Sequence, residues 1–137
     1  REEDLRSRIL DLTDGKGADV VYDPVGGDVF KASLRSIAFE GRILVIGFAG
    51  GEVPQIPANH LLVKNVDVIG FFWGAYKSRN RDRLVESIHQ LVEWWKEGRL
   101  KPHISKTFPL KEGQKAIEYL LARKSTGKVV ITIGDGQ

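Results

Sequence analysis

The chain has 137 residues, of which 42% are hydrophobic and 28% are charged, and its formal net charge is +3. This composition is typical of a soluble globular protein and excludes a disordered or fibrous chain. No apolar run approaches the roughly 20 residues that span a bilayer, so no membrane segment is expected. The absence of cysteine excludes disulfides and a thiol nucleophile within the chain and is compatible with a reducing cytoplasm.

The first quarter of the chain predicts helix, strand and helix. Residues 2–13 carry apolar side chains at helical spacing, and Asp14-Gly15 is a plausible stop. "ADVVYD" is a short apolar run between turn residues, which predicts a buried parallel strand over 19–23. Asp28 is then expected to cap a helix over 29–38, with Val29, Leu34 and Ile37 as candidate packing positions.

The middle of the chain predicts two further strands and one long helix. "GRILVIGF" (41–48) indicates a strand, and "AGGEVPQIPAN" that follows is expected to be a loop, because its prolines and glycines disfavour regular structure. "VDVIGFF" (66–72) predicts a third strand. Residues 80–97 predict a helix whose apolar stripe includes Trp95, with Gly98 as its stop.

The sequence pattern of the last third of the chain changes after Pro102. "HISKTFPL" predicts a strand, "EGQKAIEYLLARK" a helix and "GKVVITI" a closing strand. Alternation of strands and helices predicts an α/β fold, namely the second half of a doubly wound, Rossmann-type parallel sheet followed by a C-terminal strand-helix-strand return. The expected domains are residues 1–102 and 103–137.

Turns at the carboxyl ends of the three predicted strands are the candidate ligand site, because open α/β sheets bind ligands there. The turns are Asp23 to Gly27, Gly47 to Gly51 and Phe71 to Tyr76. Two are rich in glycine, which permits close approach to the backbone, and the third is aromatic. The alternative interpretation is that these glycines only form turns and bind no ligand. The GxGxxG phosphate fingerprint is absent from the chain.

No acid–base or metal constellation is visible in the sequence. His60 in the loop after "IPA", His89 on a helix and His103 at a strand start are interpreted as structural or solvated residues, and Asp23 as a turn residue. Arg123 and Lys128 could contact a cofactor phosphate, but only their charge supports this role, so they are not assigned to the site. "YKSRNRDR" (76–83) is interpreted as a solvated loop that leads into a helix, with RNA contact as the alternative.

Four segments together resemble a known family. They are "GADVVYDPVGGDVF", "GRILVIGFAGGEVPQIPAN", "LLVKNVDVIGFFWGAY" and "GRLKPHISKTFPL…A…YLLARKSTGKVVITI". In order and spacing they resemble the C-terminal portion of quinone oxidoreductases, in the zinc-independent branch of the medium-chain dehydrogenase/reductase superfamily. In that family the phosphate fingerprint and the strand that selects NAD or NADP lie upstream of this portion.

The resemblance implies a cofactor role for particular residues. Contacts to the nicotinamide end of NADPH are expected from three segments, and several of them would be main-chain contacts: Val25 and Gly26; Gly47, Phe48 and Ala49; Phe71, Phe72 and Trp73. No catalytic residue and no metal ligand is assigned in this chain.

The resemblance also implies an activity and a partner. The parent enzyme is expected to transfer hydride from NADPH to a quinone or enone-type acceptor in the cytoplasm, the chain alone being inactive, and to dimerise through residues 66–72. Neither a membrane nor a nucleic acid is expected as partner. The alternative function is a non-catalytic self-associating or RNA-binding module, whose affinity for RNA would depend on salt and on Arg79 and Arg81.

Overall fold

The chain forms two compact units in a computed structural model that describes residues 3–134. The first unit extends to Asn80 and the second begins at Arg81. The predicted domain boundary at residue 102 stays a prediction. Among the described residues, no helix is both long enough and apolar enough to cross a bilayer.

Within its described residues, 3–80, the first unit contains three strands and four helices. The strands are β1 (Ala18–Asp23), β2 (Ile37–Val45) and β3 (Asp67–Gly70), and the helices are α1 (Leu5–Leu12), α2 (Gly27–Ser36), α3 (Ala58–Lys64) and α4 (Tyr76–Arg79). A short 3-10 turn at Trp73–Ala75 precedes α4. The second unit contains α5 (Arg81–Lys96), β4 (Ile104–Pro109), α6 (Gly113–Leu121) and β5 (Lys128–Thr132), with a 3-10 turn at Leu110–Glu112.

The first unit is built on a parallel sheet in the order β1-β2-β3. Val21, Ile43 and Val68 lie side by side across it. In the second unit β4 pairs with β5 in parallel, and α6 connects them and packs on both. The predicted α/β class, with half of a doubly wound sheet and a strand-helix-strand return, is confirmed.

The core of the first unit lies between α2 and one face of this sheet. Phe30 and Leu34 of α2 meet Ile37, Ile43 and Val66, all of them buried. Burial of large apolar side chains of this kind contributes about 1.5–3 kcal/mol each. Helical periodicity correctly predicted Leu34 and Ile37 as packing residues. It also predicted Val29, but the structure buries the neighbouring residue Phe30 instead.

The opposite face of the sheet is open in the first unit, so the prediction that β1 is buried on both sides is wrong. Val20 and Tyr22 of β1 are 60% and 66% exposed. The physical reason is that α2 and α3 pack on β1 and β2 from one side, where Val21 and Asp23 point. Alternate residues of a strand face opposite sides of its sheet.

Helix starts follow from backbone geometry as much as from side-chain caps. Asp4 caps α1 and accepts hydrogen bonds from Ser7, which lower the pKa of its carboxyl. Its stabilising contribution is therefore present above the ordinary pKa of 3.8 and lost as the pH falls through the lowered value.

The prediction that Asp28 caps the next helix is wrong: α2 begins at Gly27 after Gly26, and Asp28 lies in its first turn.

Several predicted boundaries also differ. The strand expected at 41–48 begins earlier, at Ile37, and ends at Val45, while β3 ends at Gly70 rather than 72. The loop after "GRILVIGF" ends sooner than expected, because α3 begins directly after Pro57 and includes His60. Part of the predicted loop at 76–83 is the short helix α4.

The helix predicted over 80–97 is confirmed as α5, with Gly98 at a φ of +71° beyond its end. None of its residues is buried. Trp95, expected on the packing stripe, is 61% exposed, whereas the ring of Trp94 lies 5.1 Å from the guanidinium carbon of Arg99. The amphipathic pattern thus predicted the helix correctly, but it did not predict how far the apolar side chains of that helix are exposed.

Two glycines between α1 and β1 allow the cost of backbone strain to be measured separately from the cost of a steric collision. Gly15 and Gly17 have φ values of +80° and +90°, but only at Gly17 would a Cβ collide, at 2.5 Å from the Ser36 carbonyl oxygen. We expect Gly15→Ala to lower the free energy of unfolding by about 1 kcal/mol. Gly17→Ala should lower it by about 3 kcal/mol, because the collision adds to the strain. Urea denaturation measures both, and equal losses would contradict the packing argument.

Candidate functional site

Asp23, the last residue of β1, organises the turn that follows it. Its side chain is almost fully buried, and its Oδ1 accepts hydrogen bonds from the amides of Val25 (2.9 Å) and Gly26 (3.0 Å). Its main-chain oxygen accepts from the amide of Ile46 at 2.9 Å, just after β2. Its Oδ2 is buried and has no hydrogen-bond partner among the described residues. One residue thereby fixes the first turn and joins it to the second.

Main-chain hydrogen bonds then join the first turn to the loop after β2. The amide of Ala49 donates to Pro24 O at 3.0 Å, that of Gly50 to Val25 O at 2.9 Å, and that of Gly27 to Glu52 O at 3.1 Å. These bonds use only backbone groups, so they constrain the path of the loop but not the chemistry of its side chains.

Gly26 makes this close contact possible. Its φ is +74°, and a Cβ there would lie 2.8 Å from Glu52 O and 3.0 Å from Phe48 Cδ1. The neighbour that requires a glycine at this position is therefore the loop after β2.

A second link between the same segments is electrostatic. The ammonium of Lys31 on α2 lies 3.0 Å from Asp28 and 3.0 Å from Glu52. These hydrogen bonds, that to Asp28 first, raise the pKa of Lys31 above its ordinary 10.5. Any contribution to stability is thus present below pH 10.5 and lost as the pH rises through the raised value. The lysine and both carboxylates are well exposed, so the effect is small.

An open cleft of about 470 Å³ lies at the carboxyl ends of β2 and β3. We call it the strand-end cleft; its lining residues are Val45, Ile46, Gly47, Phe48, Gly70, Phe71 and Phe72. A Cβ at Gly70 would meet nothing within 4 Å, and one at Gly47 only Pro24 O at 3.5 Å. The cleft thus has two glycine positions where a side chain would enter free space, which leaves the backbone accessible.

The structure brings some of the predicted cofactor residues together and places others behind them. Gly47, Phe48, Phe71 and Phe72 line the strand-end cleft. The other four predicted residues are not among the lining residues: Val25, Gly26, Ala49 and Trp73.

Main-chain partners distinguish these two groups in part. The amides of Val25, Gly26 and Ala49 are engaged within the turns. Among the lining residues, the amides of Gly47 and Phe71 donate to Asp23 O (3.4 Å) and Val45 O (3.0 Å), whereas no described residue accepts from those of Phe48 and Phe72. Val45, Ile46 and Gly70 were missed because the predicted strands extended past them. With correct boundaries, the rule that ligands lie at the carboxyl ends of strands would have pointed to them, since Val45 and Gly70 end their strands and Ile46 follows β2.

None of the three histidines is among the residues that line this cleft, and their interpretation as structural or solvated residues stays a prediction. His60 is on α3, His89 is on α5, and His103 Nε2 lies 3.1 Å from Thr126 Oγ1. Among residues 3–134 no group of three or more His, Asp or Glu side chains could hold a metal ion.

Comparison with known proteins identifies the family. Residues 1–131 match the family model described as zinc-binding dehydrogenase. The chain belongs to this family. It is 49% identical over 130 residues to the quinone oxidoreductase-like protein 2 homolog of Nematostella vectensis and 32% identical over 130 residues to a quinone oxidoreductase of Pseudomonas aeruginosa. Each match covers 94% of this chain.

A solved structure agrees. The quinone oxidoreductase of Pseudomonas syringae superposes with a TM-score of 0.73 at 34% identity over 96% of this dehydrogenase-family chain. The chain spans 36% to 41% of the length of these three relatives. The resemblance to the C-terminal portion of quinone oxidoreductases in the medium-chain superfamily is therefore confirmed. These relatives are oxidoreductases by name.

Removal of the Asp23 carboxylate tests its role as the anchor of the site. We expect Asp23→Ala to lower the free energy of unfolding by about 2–3 kcal/mol, because two amides lose a charged acceptor. The control is Asp19→Ala on the same strand, whose carboxylate forms an exposed pair with Lys16. This substitution should change the free energy of unfolding by less than about 0.5 kcal/mol. Urea denaturation compares them, and similar losses in both variants would refute the anchoring role.

Proposed function

We propose that this chain forms the nicotinamide side of the cofactor site in an NADPH-dependent oxidoreductase that transfers hydride to a quinone or enone-type acceptor. The observation that carries the proposal is the strand-end cleft, where four of the predicted cofactor residues lie together. Membership of a dehydrogenase family supports a nicotinamide cofactor. NADPH rather than NADH, the acceptor, independence of zinc and a cytoplasmic location are parts of the same proposal.

The cleft fits a nicotinamide ring in size and in chemistry. Flat aromatic side chains at Phe48 and Phe72 supply apolar surface, and their amides are available as donors to a carboxamide. A bound nicotinamide would supply the hydride, and the acceptor would take a proton from a separate donor. The residues of this chain would position the ring, and positioning by itself can lower a barrier by several kcal/mol.

Titration with separate halves of the cofactor tests this assignment. We expect reduced nicotinamide mononucleotide to shift the amide resonances of Gly47, Phe48 and Phe72 in heteronuclear NMR spectra of the chain. The adenine half, 2′,5′-ADP, should leave them unchanged, because the cleft is assigned to the nicotinamide end. Gly47→Val should abolish the shifts without unfolding, since the added side chain enters open space.

The matched control is Gly113→Val at the start of α6. A Cβ there makes only an ordinary contact at 3.8 Å with Ile131 Cδ1, and the residue is not among those that line the cleft. This variant should bind the mononucleotide as the parent chain does. Unchanged cleft resonances at saturating mononucleotide, or equal shifts with 2′,5′-ADP, would overturn the proposed function.

We also propose that the chain pairs with a second copy through residues 66–72. The support is that β3 forms one edge of its sheet. The amide of Phe71 is directed to β2, and amides alternate in direction along a parallel strand, so the Gly70 amide is directed to the free edge. Unpaired edges of this kind favour strand addition.

Two substitutions at one position test the dimer. Gly70→Pro removes the outward amide and should convert a dimer to a monomer in sedimentation velocity. Gly70→Ala keeps the amide and adds a Cβ in open space, so it should leave the dimer intact. A monomeric parent chain, or a dimer that survives the proline, would rule out pairing through this edge.

A further inference from the structure

A second concave surface of the first unit lies between α2 and α3, and it shares no lining residue with the strand-end cleft. It consists of two adjoining hollows of about 310 Å³ each, which have Leu34, Arg35 and His60 in common. We call the pair the α2–α3 groove. Each hollow is of the size that holds a small molecule rather than a folded partner.

The two hollows differ in character. One is mainly apolar, with the core side chains of Phe30 and Leu34 at its base and Ile56 and Pro57 beside them. The other adds Arg6 from α1 and Lys64 from α3. An apolar compartment thus continues into a cationic one.

Charge in the groove has one sign. Four cationic side chains line it, and none of its lining residues is a carboxylate: Arg6, Lys31, Arg35 and Lys64. Two of these are engaged elsewhere. Lys31 pairs with Asp28 and Glu52, and Lys64 donates to the carbonyl oxygens of Arg35 (3.3 Å) and Ile37 (2.9 Å).

Arg6 and Arg35 are the groove cations that the fold leaves available, because neither guanidinium makes a hydrogen bond or ion pair with any residue between 3 and 134. Of the two, Arg35 lines both hollows, whereas Arg6 lines one. A guanidinium is weakly hydrated and offers a planar fork that matches a carboxylate. Arg35 therefore lies where an acidic head group would meet an apolar tail.

We propose that the α2–α3 groove binds a small amphipathic organic anion, with its acidic group at Arg35 and its aliphatic body over Leu34 and Ile56. Charge complementarity selects an anion, and the apolar hollow selects a tail of several carbons. The site is independent of the nicotinamide proposal, because it is formed by helices and the end of a loop rather than by strand ends.

Three simple probes test this assignment in the 137-residue chain. Octanoate carries both features, octanol only the tail, and inorganic sulfate only the charge. We expect octanoate to bind in a calorimetric titration and to shift the NMR resonances of Arg35, Ile56 and His60. Octanol and sulfate should bind at least several-fold more weakly, because each lacks one half of the interaction.

Paired variants locate the two halves of the site. Arg35→Gln should raise the Kd for octanoate about tenfold, whereas Arg8→Gln, an equal charge change on α1 outside the groove, should leave it unchanged. Ile56→Ser should also weaken binding, with Val53→Ser on the same loop as its control. Both targets are exposed or half-exposed, and circular dichroism confirms that each variant is folded.

Every other result overturns the proposal. Equal affinity for octanol would mean binding to exposed apolar surface alone, and equal affinity for sulfate would mean a simple anion site. Shifts confined to Val20 and Tyr22 would assign octanoate to the open face of the sheet. Gly47→Val tests the binding of the mononucleotide at the strand-end cleft and does not test the binding of octanoate at the α2–α3 groove. The failure of one proposal is therefore distinguishable from the failure of the other.

Discussion

Four hydrogen bonds at the carboxyl end of β1 hold the candidate cofactor site together, and all of them end on Asp23. Two amides of the following turn donate to its side chain, and the amides of Ile46 and Gly47 donate to its main-chain oxygen. Because these acceptors belong to one buried residue, the turn after β1 and the loop after β2 cannot move independently. The shape of the strand-end cleft depends on that loop, so the cleft is held to the sheet through the side chain and the main-chain oxygen of a single residue.

Glycine permits this arrangement where any other residue would obstruct it. At Gly26 the positive φ directs the chain from strand to helix without a capping side chain, and the missing Cβ leaves room for the Glu52 carbonyl. At Gly47 and Gly70 the missing Cβ serves a different purpose, since the space it leaves is open. Glycines that look equivalent in the sequence thus perform two tasks, one in packing and one in access.

The strand-end cleft and the α2–α3 groove are formed by different kinds of secondary-structure element. Strand ends and backbone amides form the strand-end cleft, which suits a flat ring with a carboxamide. Helix side chains form the α2–α3 groove, whose chemistry is set by Arg35 and the apolar residues around it. The division follows from the fold, because one face of a parallel sheet is covered by helices while its carboxyl edge is left to the turns.

By itself the sequence determined the alternation of strands and helices, the parallel sheet, the family and the three turns that follow the strands. These depend on local patterns: apolar runs, helical spacing and turn residues. It misplaced the helix cap at Asp28, missed α3 and extended two strands too far, because each of those boundaries depends on partners distant in the chain. Only the tertiary structure decided that Phe30 rather than Val29 is buried, that Gly26 packs against Glu52, and that Phe48 and Phe72 share one cleft. The physical reason is that burial and hydrogen bonding between segments are set by the path of the folded backbone, which no local pattern encodes.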